Sequence, residues 1–162
     1  SPDPAATEVI FSAHSLPSRI QQWDDPYPKE LQQSYTAVAE AAGLESWRSC
    51  YQSAGRTMER WLGPDLVETL GLADLGGKKQ VLVAPIGFVT DNLETLYDLD
   101  IQACEVARNV GLTLRRMEMP NASAEFIQAL EDILVPPFER VMATVDALVV
   151  GAVVSVVSPI ET

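Results

Sequence analysis

The feature that most constrains the fold is a fourfold alternation of short apolar segments with longer segments of helical character. The apolar segments begin near residues 8, 46, 78 and 111 and are typical of buried parallel strands. Each is followed by a segment with helical periodicity or with residues that bound helices, such as Gly43 and Pro64. This order predicts an α/β fold with a mainly parallel sheet of about four strands and helices on both faces.

Prolines, glycines and the ends of apolar runs set the bounds of the predicted elements. We predict strands at residues 8–14, 46–53, 78–88 and 111–119, and helices at residues 29–43, 63–76, 91–110 and 122–134. The apolar residues of the first helix are Leu31, Tyr35, Val38 and Ala42. Residues 8–134 therefore form the predicted body, and residues 1–7 are interpreted as a linker or as the cut start of a longer chain.

Three polar loops follow the first three predicted strands. Their sequences are SAHSLP, YQSAGR and PIGFVTD. Ligands of parallel sheets bind at the carboxyl ends of the strands. The topology alone therefore predicts that these loops converge on one binding site.

Charge and cysteine content exclude several classes of function. The chain of 162 residues has 11 Lys and Arg against 23 Asp and Glu, which gives a formal net charge of −12. Such a surface repels phosphate backbones, so we expect no nucleic-acid partner. Two cysteines without CxxC spacing do not form a disulfide framework. They favour a reducing compartment and a cytoplasmic location.

His14 is the only histidine and directly follows the first predicted strand. Imidazole takes up and releases protons near neutral pH and can also bind a metal. A lone histidine in a turn is more often a structural hydrogen-bond donor. Its place on the predicted binding edge favours a functional role.

The third predicted helix begins with several acidic residues, including Asp91, Glu94 and Asp98. Acids at a helix start are stabilised by the helix dipole, and Asp91 with Glu94 fits an N-cap and capping box. This structural explanation leaves Asp98 unaccounted for, one turn beyond Glu94 on the same face. Two carboxylates at that spacing could pass on a divalent metal or relay protons.

The loop after the second strand carries Gln52, Ser53 and Trp61. Small polar residues are ordinary in such connections. Trp61, next to Gly63 and Pro64, could simply support a helix start, or could offer a flat face to an aromatic ligand.

Six motifs in this order and spacing resemble ferrochelatases, above all the bacterial coproporphyrin type. The motifs are FSAHSLP, DPYP, YQS, WLGP, PIGFVTDNLETLYDLD and EMPNASAEFIQAL. The resemblance covers residues 8 to about 134 and implies a Rossmann-like chelatase half. It also implies an enzyme of haem biosynthesis, a lyase that inserts Fe(2+) into coproporphyrin III or protoporphyrin IX.

The resemblance implies roles for particular residues. His14 and Glu94 would act as catalytic residues and iron ligands that face each other across the porphyrin site. Asp98 would belong to a carboxylate row that guides metal or protons. Trp61 and Phe88 would lie near the porphyrin, with Gln52 and Ser53 in the same substrate-binding region.

The sequence also departs from the family pattern at three places. Asn92 stands where a histidine is very frequent, and Gln102 stands where a third acid of the carboxylate row is frequent. No cysteine follows Cys104, so we expect no iron-sulfur cluster. Iron is expected as a substrate only.

The resemblance covers only the second of two similar halves of a ferrochelatase. We therefore expect the porphyrin and the missing N-terminal half of the same protein as partners. A chain that lacks one wall of the cleft could instead be a non-catalytic module that binds metal or tetrapyrrole.

Residues 135–162 form a Val-rich tail that the resemblance does not cover. A strand, a sticky extension or a non-native tail would explain it. A window over residues 141–160 would just reach the length of a membrane span if one Asp were tolerated, so membrane contact is left open.

Overall fold

The computed structural model describes residues 6–72 and 75–157. Most of the predicted linker, the end of the Val-rich tail and residues 73–74 of the second predicted helix lie outside these ranges. The chain divides into two compact units, one up to Met119 and one from Pro120, which are described separately. The predicted domain boundary near residue 134 stays a prediction.

The first unit is built on a sheet of four parallel strands in the order β2-β1-β3-β4. The strands are β1 (Thr7–His14), β2 (Arg48–Gln52), β3 (Gln80–Ala84) and β4 (Thr113–Arg116). β1 lies in the interior of the sheet and pairs with both β2 and β3. The predicted α/β fold with a four-stranded parallel sheet is confirmed.

Helices of the first unit cover both faces of the sheet. The helical segments are a 3-10 helix (Ser18–Trp23), α1 (Tyr27–Ala41), α2 (Leu66–Leu72), α3 (Leu93–Thr95), a π-helix (Leu96–Ala103), α4 (Cys104–Asn109) and α5 (Ala124–Val157). α3, the π-helix and α4 follow one another without a gap and form one continuous helical run. We therefore call residues 93–109 the acidic helix.

Two apolar clusters fill the two sides of the sheet. Ile10 and Val83 pack with Leu99 of the acidic helix in one cluster, and Phe11 packs with Tyr35 of α1 in the other. Strand residues alternate between the faces, so neighbouring residues of β1 enter different clusters. The rings of Phe11 and Tyr35 are stacked with centroids 5.4 Å apart.

The buried side of α1 differs slightly from the predicted apolar set. Leu31, Tyr35 and Ala39 are buried, whereas Val38 is 41% exposed. Residues 31, 35 and 39 recur every four positions, which keeps them on one face of a helix with 3.6 residues per turn. Val38 falls beside that face.

In the second unit, the described residues form helix α5, which passes through Pro136 and Pro137. The closing helix predicted to end at residue 134 therefore continues to Val157, and the strand interpretation of the tail is wrong. Helices and strands are distinguished in a sequence by the spacing of their apolar residues, and an uninterrupted Val-rich run has no such spacing. Among the described residues, no helix has the length and apolar character needed to cross a membrane.

Candidate active site

The carboxyl ends of three strands meet at one edge of the sheet. His14 ends β1 and lies opposite Gln52, the last residue of β2. The Pro85–Gly87 turn follows β3, and the Gly87 amide donates to the Ser12 carbonyl at 3.2 Å. A Cβ at Gly87 would lie 2.5 Å from the Cβ of Ala13, so only glycine lets the turn pass this close to β1.

Strand alternation selects the face on which His14 lies. Ile10 belongs to the cluster shared with the acidic helix, and His14 is four residues further along β1. The period of two therefore directs both side chains to the same face. The turn after β3 starts the acidic helix on this face, close to the end of β1.

His14 and Glu94 approach each other directly at this edge. Their Nε2 and Oε2 atoms are 3.3 Å apart, and the side chains are 30% and 59% exposed. The other ring nitrogen, Nδ1, contacts the Ser15 carbonyl, which can only accept a hydrogen bond. The Tyr27 hydroxyl donates to the His14 carbonyl at 2.8 Å. The imidazole is thus held through Nδ1 and the His14 backbone through its carbonyl, with Nε2 turned towards Glu94.

Asn92, not Asp91, caps the acidic helix. Its Oδ1 accepts a hydrogen bond from the Thr95 amide at 3.0 Å. The predicted N-cap at Asp91 and the capping box with Glu94 are wrong. Asp91 instead forms an ion pair with Arg116 at the end of β4, 3.0 Å away. The carboxylate of Glu94 therefore reaches His14 and takes no part in capping.

The remaining acids of this helix contact different groups. Asp98, in the π-helix, accepts a hydrogen bond from the Ser53 hydroxyl, and Ser53 has a left-handed backbone with φ of 60°. Arg116 donates to both carboxylate oxygens of Asp100, at 2.8 and 3.0 Å. These hydrogen bonds to Asp100 raise the pKa of Arg116, which stays charged. Within the described ranges, no three His, Cys, Asp or Glu side chains form a group that could hold a metal.

Of the other predicted site residues, Phe88 and Gln52 lie next to His14, whereas Trp61 contacts Gly55, Thr57 and Pro17. Gln52 is buried, and its Oε1 accepts from the Ser12 hydroxyl at 2.7 Å. Phe88 lies edge-on to His14, with ring centroids 6.4 Å apart. Trp61 packs on Gly55, whose added Cβ would lie 2.4 Å from the indole ring, and its Nε1 donates to Thr57 at 2.9 Å.

Sequence reasoning missed two residues that position the site. Tyr27 holds the backbone of His14, and Arg116 draws Asp91 and Asp100 away from it. The DPYP motif, which contains Tyr27, was a signal for the first. No sequence pattern indicated Arg116, because this residue lies at the end of β4 and its partners, Asp91 and Asp100, lie far from it along the chain, before and within the acidic helix.

Comparison with known proteins gives the family. The sequence profile described as Ferrochelatase matches residues 2–136. The chain belongs to the ferrochelatase family. It is 48% identical over 126 residues to a ferrochelatase of Herpetosiphon aurantiacus, covering 78% of this chain and 41% of that relative.

Two further members of the ferrochelatase family carry a more specific name. The coproporphyrin III ferrochelatase of Bacillus subtilis is 41% identical over 133 residues, which cover 82% of this chain and 43% of that protein. The coproporphyrin III ferrochelatase of Halalkalibacterium halodurans is 42% identical over 127 residues, with 78% and 41% covered. The chain thus spans well under half the length of these curated relatives.

Proposed function

We propose that this chain provides the catalytic side of an iron chelatase that inserts Fe(2+) into a porphyrin in haem biosynthesis. The observation that carries the proposal is the pair formed by His14 and Glu94, with Nε2 and Oε2 3.3 Å apart at the carboxyl edge of the sheet. Family membership supplies the reaction class, a lyase reaction that forms metal-nitrogen bonds.

The geometry of the pair suits both parts of this reaction. If Nδ1 donates to the Ser15 carbonyl, neutral His14 keeps its lone pair on Nε2, directed at the Glu94 carboxylate. Two electron-rich groups at this separation are stabilised by a proton or a cation between them. Metal insertion needs an acceptor for the two pyrrole protons and ligands that deliver the metal.

The small number of ligands also favours a transient iron site. One imidazole and one carboxylate suit Fe(2+) and leave coordination positions for the incoming pyrrole nitrogens. Asp98, held by Ser53 one turn along the acidic helix, is proposed as the next carboxylate for iron or protons. Iron is the substrate in this proposal and not a resident cofactor.

The substrate would lie against the rigid aromatic side chains of this edge. Phe88 and Trp61 are proposed as walls, with Gln52 and Ser53 in the same substrate-binding region. The printed names of the Bacillus subtilis and Halalkalibacterium halodurans relatives support coproporphyrin III over protoporphyrin IX. The unpaired Cys50 and Cys104 support a cytoplasmic location as part of this proposal.

A second candidate function is a binding module that holds metal or tetrapyrrole without catalysis. The observations that favour it are Asn92, which caps the acidic helix, and Gln102, which leaves the carboxylate row one acid shorter than the family resemblance implies. Both changes remove groups that could take up protons or pass on a metal.

Anaerobic metallation assays separate the two candidates. The chain is mixed with coproporphyrin III and Fe(2+) or Zn(2+), and the visible absorption bands are followed. We expect metallation with the wild-type chain and about 100-fold or greater loss in His14→Ala and Glu94→Gln. Glu105→Gln, an exposed acid of the same helix, serves as the control and should retain full activity. A porphyrin spectrum that shifts on binding but never progresses to metalloporphyrin would support the binding module.

A further inference from the structure

Arg116 lies at the end of β4, an outer strand of the sheet that is separated from β1 by β3. It pairs in register with Val83 of β3, and residues paired across neighbouring strands point to the same face of the sheet. On that face Val83 packs with Leu99 of the acidic helix. The Arg116 side chain, 13% exposed, is therefore directed at the helix that carries Glu94.

The guanidinium of Arg116 binds two carboxylates at once. Its Nη1 lies 3.0 Å from Oδ1 of Asp91, and its Nε and Nη2 donate to the two carboxylate oxygens of Asp100 at 2.8 and 3.0 Å. Nη1 also donates to the Met117 carbonyl at 3.2 Å, which anchors the guanidinium to the backbone after β4. The two parallel hydrogen bonds fix both the position and the orientation of the Asp100 carboxylate.

The two carboxylates stand on either side of Glu94 in the chain. Asp91 precedes the acidic helix, whereas Asp100 lies within its π-helical part. Glu94, whose Oε2 is 3.3 Å from Nε2 of His14, lies between these two points. One guanidinium thus holds the start of the helix and a later part of it at a fixed separation.

Charge repulsion and helix type both make such a restraint useful. Residues 91–100 carry four carboxylates, and like charges close together on a helix destabilise it. The π-helical form of this segment is also rare in proteins. Arg116 neutralises two of the four carboxylates at the points where they flank Glu94.

We propose that Arg116 is a positioning residue that holds Glu94 opposite His14. It acts through Asp91 and Asp100, and its catalytic consequence rests on the proposed function. Because Arg116 places a reacting group and does not bind the substrate, its loss should lower the rate of metal insertion more than the affinity for porphyrin.

The imidazole of His14 reports the position of Glu94 without any assay of activity. His14 is the only histidine, so an untagged chain gives one set of imidazole signals in NMR spectra. Glu94→Gln defines the shift that follows loss of the carboxylate. We expect Arg116→Gln to move the signals in the same direction. Arg115→Gln, at the adjacent exposed position of β4, is the matched control and should leave them in place. Unmoved signals in Arg116→Gln would overturn the proposal.

Metallation kinetics test the catalytic consequence. We expect Arg116→Gln to lower kcat about tenfold, while KM for coproporphyrin III changes less than about twofold. Arg116→Lys keeps the charge but not the planar guanidinium, so it should recover less than about half of the lost rate and of the NMR shift. Full recovery by lysine, or a higher KM with unchanged kcat, would refute a positioning role of the guanidinium.

Asp100→Asn keeps the test decisive if Arg116→Gln does not fold. The Asp100 side chain is 40% exposed, and Arg116 retains Asp91 as a partner in this variant. The His14 signals should move in the same direction as in Glu94→Gln but less far, and unchanged signals would contradict the proposal. If the wild-type chain metallates no porphyrin, the proposed function fails, and the NMR comparison alone decides on Arg116.

Discussion

The two ends of strand β1 carry charged groups in opposite environments. At the amino end, the Glu8 side chain is 4% exposed and contacts Arg48 at 2.8 Å and Lys78 at 2.7 Å. At the carboxyl end, His14 and Glu94 share one contact of 3.3 Å and are much more exposed. The first arrangement satisfies each carboxylate oxygen with a cation, whereas the second leaves capacity for a ligand.

The comparison distinguishes charged groups that stabilise the fold from charged groups that are available for chemistry. Burial alone would raise the pKa of Glu8, but hydrogen bonds from Lys78 and Arg48 outweigh it and hold the pKa below its ordinary value. The Glu8 cluster therefore favours the ionised, folded state. The pair at the other end contributes little to folding and should tolerate substitution.

The largest effect on stability is expected for Glu8→Gln. The change leaves two cations without their carboxylate partner, and we expect a loss of about 3 kcal/mol in the free energy of unfolding. Urea denaturation measures it. Glu45→Gln, at an exposed position, is the control and should stay within about 0.5 kcal/mol of wild type. Equal stability of the two variants would show that the cluster is not stabilising.

The stabilisation from Glu8 should also depend on pH. Because the folded-state pKa of Glu8 is lowered, its contribution is fully present above the unfolded pKa of about 4.3 and is lost as the pH falls through the folded value. Urea denaturation between pH 7 and pH 3 should therefore show a steeper loss for wild type than for Glu8→Gln. Parallel curves would contradict this assignment.

Gly87→Ala should destabilise the fold by about 2 kcal/mol. The new methyl group would lie 2.5 Å from the Cβ and 2.8 Å from the Cα of Ala13, so the turn after β3 must shift. Gly71→Ala is the matched control, since an added Cβ there meets no atom within 4 Å. A smaller loss for Gly87→Ala than for Gly71→Ala would mean that the turn accommodates the methyl group.

Asn92→Ala should cost about 1 kcal/mol, the typical value of a lost N-cap. Asn92→Asp keeps an acceptor for the Thr95 amide and should recover most of this stability. The comparison of the two variants by thermal unfolding separates capping from other roles. If both lost the same stability, the cap would not be the reason.

The smallest effect on stability is expected at the candidate active site. Glu94→Gln should change the free energy of unfolding by less than about 0.5 kcal/mol, because Glu94 is largely exposed and faces a single partner. Urea denaturation of the same protein sample used in the metallation assay measures this. A loss comparable to that of Glu8→Gln would remove the contrast between the two ends of β1.

The sequence was sufficient to predict the strands and the edge at which His14 and Glu94 meet. The alternation of strands and helices predicted the parallel sheet. The rule that ligands bind at the carboxyl ends of parallel strands identified the loops that form the site. The cap at Asn92 was not predictable, because two adjacent residues could serve and Arg116, from β4, pairs with Asp91. The passage of α5 through Pro136 and Pro137 contradicted the local preference of proline.

Residues Leu96–Ala103 of the acidic helix form a π-helix. The directions of the side chains in this helix therefore depend on how many residues the π-helical segment contains. A π-helical turn holds more residues than an α-helical one, and each residue of an α-helix advances the direction of the side chains by about 100°. Deleting one residue from this segment would allow regular α-helical pitch with little loss of helix content. With Leu99 and Ala103 still anchored in the core, the shortened helix would turn Glu94 away from His14. Insertions and deletions here should therefore be far more damaging to function than substitutions of exposed residues.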